Sequence, residues 1–155
     1  MAKWNVDIKS YTDKKVEQIK DIHKKVVFAC YSSIVKNTPS DTGRARGNWI
    51  ISESQAQGTS DNTTGQRYHD VSEIPITNYN QPAYIENNLP YIRVLEYGGY
   101  PNPVKKGTYN KKTKKWEKRS ENGFSKKAPQ GMVGLTVAKF DSIVKSIVKE
   151  VGTDK

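Results

Sequence analysis

The sequence of 155 residues has little of several residue types, and each shortage excludes a class of protein. A single cysteine, Cys30, excludes an intrachain disulfide. Cys30 falls on the apolar side of a predicted helix, which favours a buried small hydrophobe over a reactive thiol. The two histidines, His23 and His69, are far apart, and no cysteine or carboxylate cluster stands at metal-ligand spacing. We therefore expect neither a disulfide-stabilised fold nor a metal site.

Apolar residues are also scarce, at 34% of the chain, and the mean hydropathy is −0.81. No run approaches the roughly 20 apolar residues of a membrane span. The N-terminal residues contain no apolar signal region. These absences predict a soluble protein that is made inside the cell and has no membrane partner. They also predict segments that are exposed in the free chain or covered only by a partner.

The sequence lacks the glycine patterns of phosphate-binding and dinucleotide-binding loops, so we expect no cofactor. It does contain Asp41-Thr42-Gly43, the triplet that carries the catalytic carboxylate in retroviral-type aspartic proteases. Such an enzyme needs a buried apolar strand before the triplet and a second carboxylate facing it. Here turn-forming residues 37–40 precede the triplet, and no second copy exists. The pattern favours a turn in which Asp41 accepts backbone hydrogen bonds and Gly43 supplies an unusual φ, and we expect no enzyme.

Positive charge is what the sequence has in excess, with 26 basic against 16 acidic residues and a formal net charge of +10. Most of this excess lies in residues 101–127, where Tyr109 and Trp116 flank a lysine-rich stretch. This stretch could form a β-hairpin, or it could equally be disordered in the free chain. Three interpretations stay open: a solvated loop, a loop that binds nucleic acid through phosphates and stacked bases, and a loop that docks on an acidic partner. Its candidate binding residues are Lys105, Lys106, Lys111, Lys112, Lys114, Lys115, Lys118 and Arg119.

The apolar periodicity predicts two long helices and a short one. Apolar residues recur at three- and four-residue steps over 12–36, and Thr12 is the candidate N-cap of this helix. A helix of about two turns is predicted within 87–99, with Gly98 at its C-terminal end. The second long helix is predicted from Pro129 onward, because proline suits the first turn of a helix.

Short strands are predicted at 48–54, 71–76 and 83–87, the second of them at a sheet edge because it contains a proline. Extended polar loops are predicted at 55–70 and 100–127. The whole chain is therefore expected to form one α+β domain. Its small, mostly antiparallel β-sheet would pack with a long N-terminal and a long C-terminal α-helix.

Three stretches of sequence carry a family pattern. They are "NTPSDTGRARGNW" at 37–49 (the turn motif), "NNLPYIRVLEYGG" at 87–99 (the central motif) and "KKAPQGMVGLTVAKF" at 126–140 (the C-terminal motif). In this order and spacing the chain resembles the neck or tail-completion proteins, minor tail components of long-tailed bacteriophages. The resemblance rests on Thr38-Pro39, Asp41-Thr42-Gly43-Arg44, Trp49, Asn87, Tyr91, Leu95-Glu96-Tyr97-Gly98, Ala128-Pro129 and Gly131-Met132-Val133. It covers most of the chain, from the first helix to the last, but not the basic loop.

The resemblance implies a virion structural protein at the head–tail junction, made in the host cytoplasm. Copies of the chain would form a ring that joins the head-closure or connector protein to the tail-terminator or tail-tube protein, around the channel for genomic DNA. In a ring each subunit offers one patch and receives another. The expected interface residues are Asp41, Arg44, Arg46, Trp49, Tyr91, Glu96 and Tyr97. A lone carboxylate such as Glu96 is most often solvated or salt-bridged, and a pair with Arg44, Arg46 or Arg93 across the interface is the alternative. The alternative is a small basic nucleic-acid-binding protein that uses loop 101–127 and whose affinity falls steeply with salt.

Overall fold

Helix α1 (Ala2–Asn37) is the first element of the chain, and it begins well before the predicted start at residue 12. Thr12 is therefore not an N-cap, because it lies inside α1, where its hydroxyl donates to the carbonyl of Ile8. The prediction was wrong because a threonine within a helix and a capping threonine give the same sequence signal. The helix ends as predicted before Thr38-Pro39, since a proline disfavours the helical conformation in the residue before it.

The architecture is taken from a computed structural model that describes residues 2–55, 61–99, 108–118 and 120–153. Three of the candidate basic residues, Lys105, Lys106 and Arg119, lie outside these ranges. Within the ranges, no helix has both the length and the apolar character that crossing a bilayer requires.

The described strands are short and all pair antiparallel, in three separate two-stranded sheets. The pairs are β1 (Ile50–Ser52) with β2 (Tyr84–Glu86), β3 (Thr108–Asn110) with β4 (Lys115–Glu117), and β5 (Ser120–Glu121) with β6 (Phe124–Ser125). Of the two interpretations left open for the basic loop, the β-hairpin is present as β3–β4, in which Tyr109 stands opposite Trp116. Together with long helices at both ends of the chain, these strands confirm the α+β class.

The predicted strand at 71–76 is wrong. Val71–Glu73 is a 3-10 helix, and the Asp70 carboxylate caps it by accepting the backbone N–H of Ser72 at 2.8 Å. Ile74 and Ile76, which follow this 3-10 helix, are both buried, so the alternation of apolar residues correctly indicates which side chains are buried. The alternation does not indicate that the segment pairs with another strand, because the proline between the two isoleucines has no N–H to donate to a neighbouring strand.

The shorter helices are α2 (Arg44–Gly47), α3 (Ile92–Tyr97), α4 (Val133–Ala138) and α5 (Phe140–Thr153). The predicted C-terminal helix thus begins later than Pro129 and is divided at Lys139. Its start is delayed because the chain turns at Gly131, whose φ of 77° a helix does not allow.

Helix α5 packs against α1. The hydroxyls of Ser33 and Thr136 are 2.8 Å apart, and Lys25 Nζ lies 3.2 Å from a Glu150 carboxylate oxygen. These two contacts place the start of the C-terminal helices near the end of α1, so that α5 runs antiparallel to it. The buried core forms between α1 and the segments that follow it, from Val27, Tyr31, Ile34, Val35, Ala45, Trp49, Ile51, Ile74, Ile76, Leu89, Leu95, Ala128 and Met132.

The N-terminal part of α1 extends beyond this core. Every residue from 7 to 15 is exposed, and so are 17 and 19. Large apolar side chains stand among them: Ile8 is 59% exposed, Tyr11 63% and Ile19 50%. We call residues 7–20 the outer segment of α1.

Candidate functional site

The turn motif forms a compact corner that begins at Gly43. This residue has a φ of 86°, as its position in a tight turn predicts, and its carbonyl accepts the N–H of Gly47 at 3.0 Å and of Gly65 at 3.2 Å. Asp41 is exposed on the bend before α2. A Cβ atom on Gly47 would stand 2.5 Å from the carbonyl oxygen of Thr63, so the backbone of Thr63 lies directly against α2.

The two arginines of the turn motif donate to backbone carbonyls. Arg44 Nε lies 3.2 Å from the carbonyl oxygen of Asp61, and Arg46 Nε lies 2.9 Å from that of Thr38. Both residues belong to helix α2. Trp49 is buried, and its indole N–H donates to the Thr38 hydroxyl at 2.9 Å. Arg44, Arg46 and Trp49 therefore hold the corner together within one chain.

Asn48 connects the corner to the loop that follows β1. Its buried side-chain amide donates to the carbonyls of Arg44 at 2.8 Å and of Asp61 and Thr63 at 3.3 Å. Its oxygen accepts the Asp61 N–H at 2.9 Å. Asn48 was not predicted as a site residue, because an asparagine beside a tryptophan gives no signal that distinguishes a buried amide from a solvated one.

A second contact holds the same loop. The Asp61 carboxylate meets the Arg67 guanidinium at 2.6 Å and accepts the Thr63 N–H at 2.8 Å. Hydrogen bonds from Thr63 and Arg67 lower the pKa of the Asp61 carboxyl from 3.8 to about 2. The backbone N–H groups of Arg67 and Tyr68 donate to the hydroxyl of Tyr31 in α1. Part of the polar stretch predicted as a loop is thus fixed against both α1 and α2.

Glu96 has a structural partner in the chain itself. Its carboxylate accepts the backbone N–H groups of Met132, Val133 and Gly134 at 2.7, 2.9 and 2.8 Å. These are the first N–H groups of α4, which have no partner inside the helix, so a carboxylate there acts as an N-terminal cap. Glu96 thus contacts backbone N–H groups, which neither a solvated carboxylate nor the alternative pair with an arginine anticipated.

The three motifs meet in space. The side-chain amide of Asn87 in the central motif donates to the Ala45 carbonyl in the turn motif at 2.8 Å. Glu96 joins the central motif to the C-terminal one, and Lys127 Nζ donates to the Ser40 carbonyl at 2.9 Å. Residues separated by up to 87 positions in the sequence therefore form one interlocked unit.

Tyr91 and Tyr97 are the expected interface residues that remain open to solvent together with Asp41. Tyr97 is 74% exposed at the end of α3. These residues and, separately, the outer segment of α1 are the candidate sites of contact with other protein subunits.

The residues that the structure describes give no support for a metal or thiol site. No group of three His, Cys, Asp or Glu side chains within them is arranged to hold a metal ion. Cys30 is buried, as predicted, and burial raises the pKa of its thiol, which disfavours the reactive thiolate.

Comparison of the chain with protein-family models, with curated proteins and with solved structures finds no match.

Proposed function

We propose that this chain is a structural protein of a bacteriophage particle, a subunit of a ring at the head–tail junction. The proposed location comes from the order of the turn, central and C-terminal motifs, which resembles that of neck and tail-completion proteins. The interlocking of these motifs by Asn87, Glu96 and Lys127 supports a role for them as one framework. In this proposal the motif residues maintain the shape of the subunit, and other surfaces contact its neighbours.

The observation that carries the assembly role is the outer segment of α1. A helix of this kind is marginal when it stands alone in water, because most helical stability in proteins comes from packing an apolar face. The segment nevertheless presents Ile8, Tyr11 and Ile19 to solvent. Large apolar side chains exposed together are typical of contact surfaces between proteins.

A ring requires two different patches on each subunit, because its contacts are heterologous. The outer segment of α1 provides one. Tyr97 and the exposed apolar side chains of Val137, Phe140 and Val148 on α4 and α5 lie on other elements and provide candidates for the other. The subunit would thus complete its packing during assembly, which also accounts for its low apolar content.

Immunogold electron microscopy of phage particles that encode this chain tests the proposal. An antibody against the purified protein should label intact particles, with gold concentrated where the head meets the tail. Particles stripped of tails and isolated tails should be compared in the same preparation. Label at the distal tail tip, or purified particles that contain no such protein by mass spectrometry, would overturn the proposed location.

A further inference from the structure

The β3–β4 hairpin is a further surface, which the proposed assembly role does not use. Residues 108–118 contain five lysines and one carboxylate, that of Glu117. Lys111, Lys112, Lys114, Lys115 and Lys118 are all exposed. Like charges this close together on a short hairpin repel each other. Binding of a polyanion would relieve this repulsion and is therefore electrostatically favourable.

Hydrogen bonds within the hairpin fix the turn that presents these lysines. The Asn110 side-chain oxygen accepts the N–H of Lys112 at 2.9 Å and of Thr113 at 3.4 Å. The Glu117 carboxylate accepts the Asn110 amide at 3.0 Å and the Thr113 hydroxyl at 2.6 Å. The hairpin's carboxylate thus stabilises the turn, and Lys114 takes a φ of 53° to close it. The lysines are displayed on a defined scaffold.

Two aromatic rings stand next to this charge. Tyr109 and Trp116 are directly opposite each other across the strands, and their ring centroids are 5.6 Å apart in an edge-on arrangement. They remain 45% and 61% exposed, respectively. Because residues opposite each other in a sheet share one face, both rings are open on the same side of the hairpin.

We propose that the β3–β4 hairpin binds single-stranded nucleic acid, with its lysines on the phosphates and Trp116 stacked on an unpaired base. Charge alone would suit any polyanion, but exposed rings beside it favour a strand whose bases are free to stack. In a duplex the faces of the bases are already covered by their neighbours, so the aromatic pair would have no partner there. The site would exist whether or not the chain belongs to a virion.

Fluorescence anisotropy with a labelled oligothymidylate of about 20 nucleotides tests this directly, since such a probe exceeds the length that a small site covers. The full chain should bind it, and the affinity should fall steeply between about 50 and about 200 mM salt. A variant with Lys111→Gln, Lys112→Gln, Lys114→Asn and Lys115→Gln should bind at least about ten-fold more weakly. Its slope of log affinity against log salt should be shallower by up to about 3.

The matched control removes the same charge elsewhere. Lys9, Lys14 and Lys145 are exposed on helices, and Lys139 is exposed in the turn between α4 and α5. All four are far from the hairpin in sequence, and their replacement by glutamine should leave the affinity nearly unchanged. Equal weakening in the two variants would mean that net charge alone attracts the probe, which would overturn the proposal. So would a wild-type chain that does not bind the probe at low salt.

The stacking part has its own test. Trp116→Ala should weaken binding of the single strand by about ten-fold, and Trp116→Phe should largely restore it, because phenylalanine retains a ring in the same strand. A duplex of the same length should bind more weakly than the single strand and should not respond to Trp116→Ala. Equal or tighter duplex binding would overturn the single-strand assignment. So would displacement of the probe by polyglutamate at equal charge concentration, which would identify an acidic protein as the preferred partner.

Discussion

At the scale of single residues, Glu96 joins two motifs that are far apart in the sequence, and its contact makes a stability prediction. Glu96→Gln keeps the side-chain length but removes the charge that accepts three backbone N–H groups of α4. We expect the free energy of unfolding to fall by about 1–2 kcal/mol, measured by urea denaturation. Arg93→Gln, an exposed change on the same helix, should alter it by less than about 0.5 kcal/mol. Equal effects would contradict the capping role.

Gly131 sets how closely the central and C-terminal motifs approach. A Cβ atom there would stand 2.6 Å from the Glu96 carbonyl oxygen, and the φ of 77° is unfavourable for other residues. Gly131→Ala should therefore lower the free energy of unfolding by about 2 kcal/mol or more. Gly152→Ala in α5 has no atom within 4 Å of the new methyl group and should be neutral or stabilising by up to about 1 kcal/mol. Thermal and urea unfolding of the two variants would reveal the opposite signs, and matching signs would argue against the close approach.

The lowered pKa of Asp61 makes the stability of the loop beside α2 depend on pH. Its pKa in the folded chain is lowered from 3.8 to about 2, so the folded state binds its proton more weakly than the unfolded state does. The stabilising contribution is complete above pH 3.8 and is lost as the pH falls through about 2. An NMR titration of the Asp61 carboxyl carbon should have its midpoint near 2, and Arg67→Gln should raise it. A wild-type midpoint near 4 would refute the contact with Arg67 and Thr63.

At the scale of elements, α1 has one part that packs against the core and one part that does not. Residues 27–35 contribute several buried side chains to the core, whereas every residue from 7 to 15 is exposed. Native-state hydrogen exchange of the free chain should find amides 27–35 protected to nearly the global stability and amides 7–15 exchanging within about ten-fold of the unprotected rate. Slow exchange along the whole helix would mean that the outer segment is already covered in the free chain.

At the scale of the whole molecule, the outer segment predicts how the chain assembles. The free protein should be a monomer by light scattering and should co-sediment with purified tails or neck complexes. Ile8→Gln with Ile19→Gln removes apolar contact area from an exposed surface, so folding should change by no more than about 0.5 kcal/mol per site while co-sedimentation falls at least about ten-fold. Lys9→Gln with Lys14→Gln on the same segment should assemble normally. Normal assembly of the isoleucine variant would exclude the segment as an interface.

The features that depend on local order can be read from the sequence. The periodic apolar residues of α1 and α5 and the positive φ of Gly43 follow from neighbours a few positions away. These were predicted because helix periodicity and turn chemistry act over one or two turns of chain. The strand wrongly predicted at 71–76 belongs to the same level, since an alternating pattern that contains a proline indicates burial but not strand pairing.

Only the tertiary structure decided what the polar residues do. Nothing near Glu96 in the sequence indicates that its carboxylate meets the start of α4, and nothing near Asn48 indicates that its amide is buried against residues 61 and 63. The same holds for the outer segment of α1, whose apolar pattern predicts burial although the fold leaves it exposed. A hydrogen bond or a packed face requires a partner from a distant part of the chain or from another molecule. Local sequence fixes which side chains need such a partner, and the fold decides which partner is within reach.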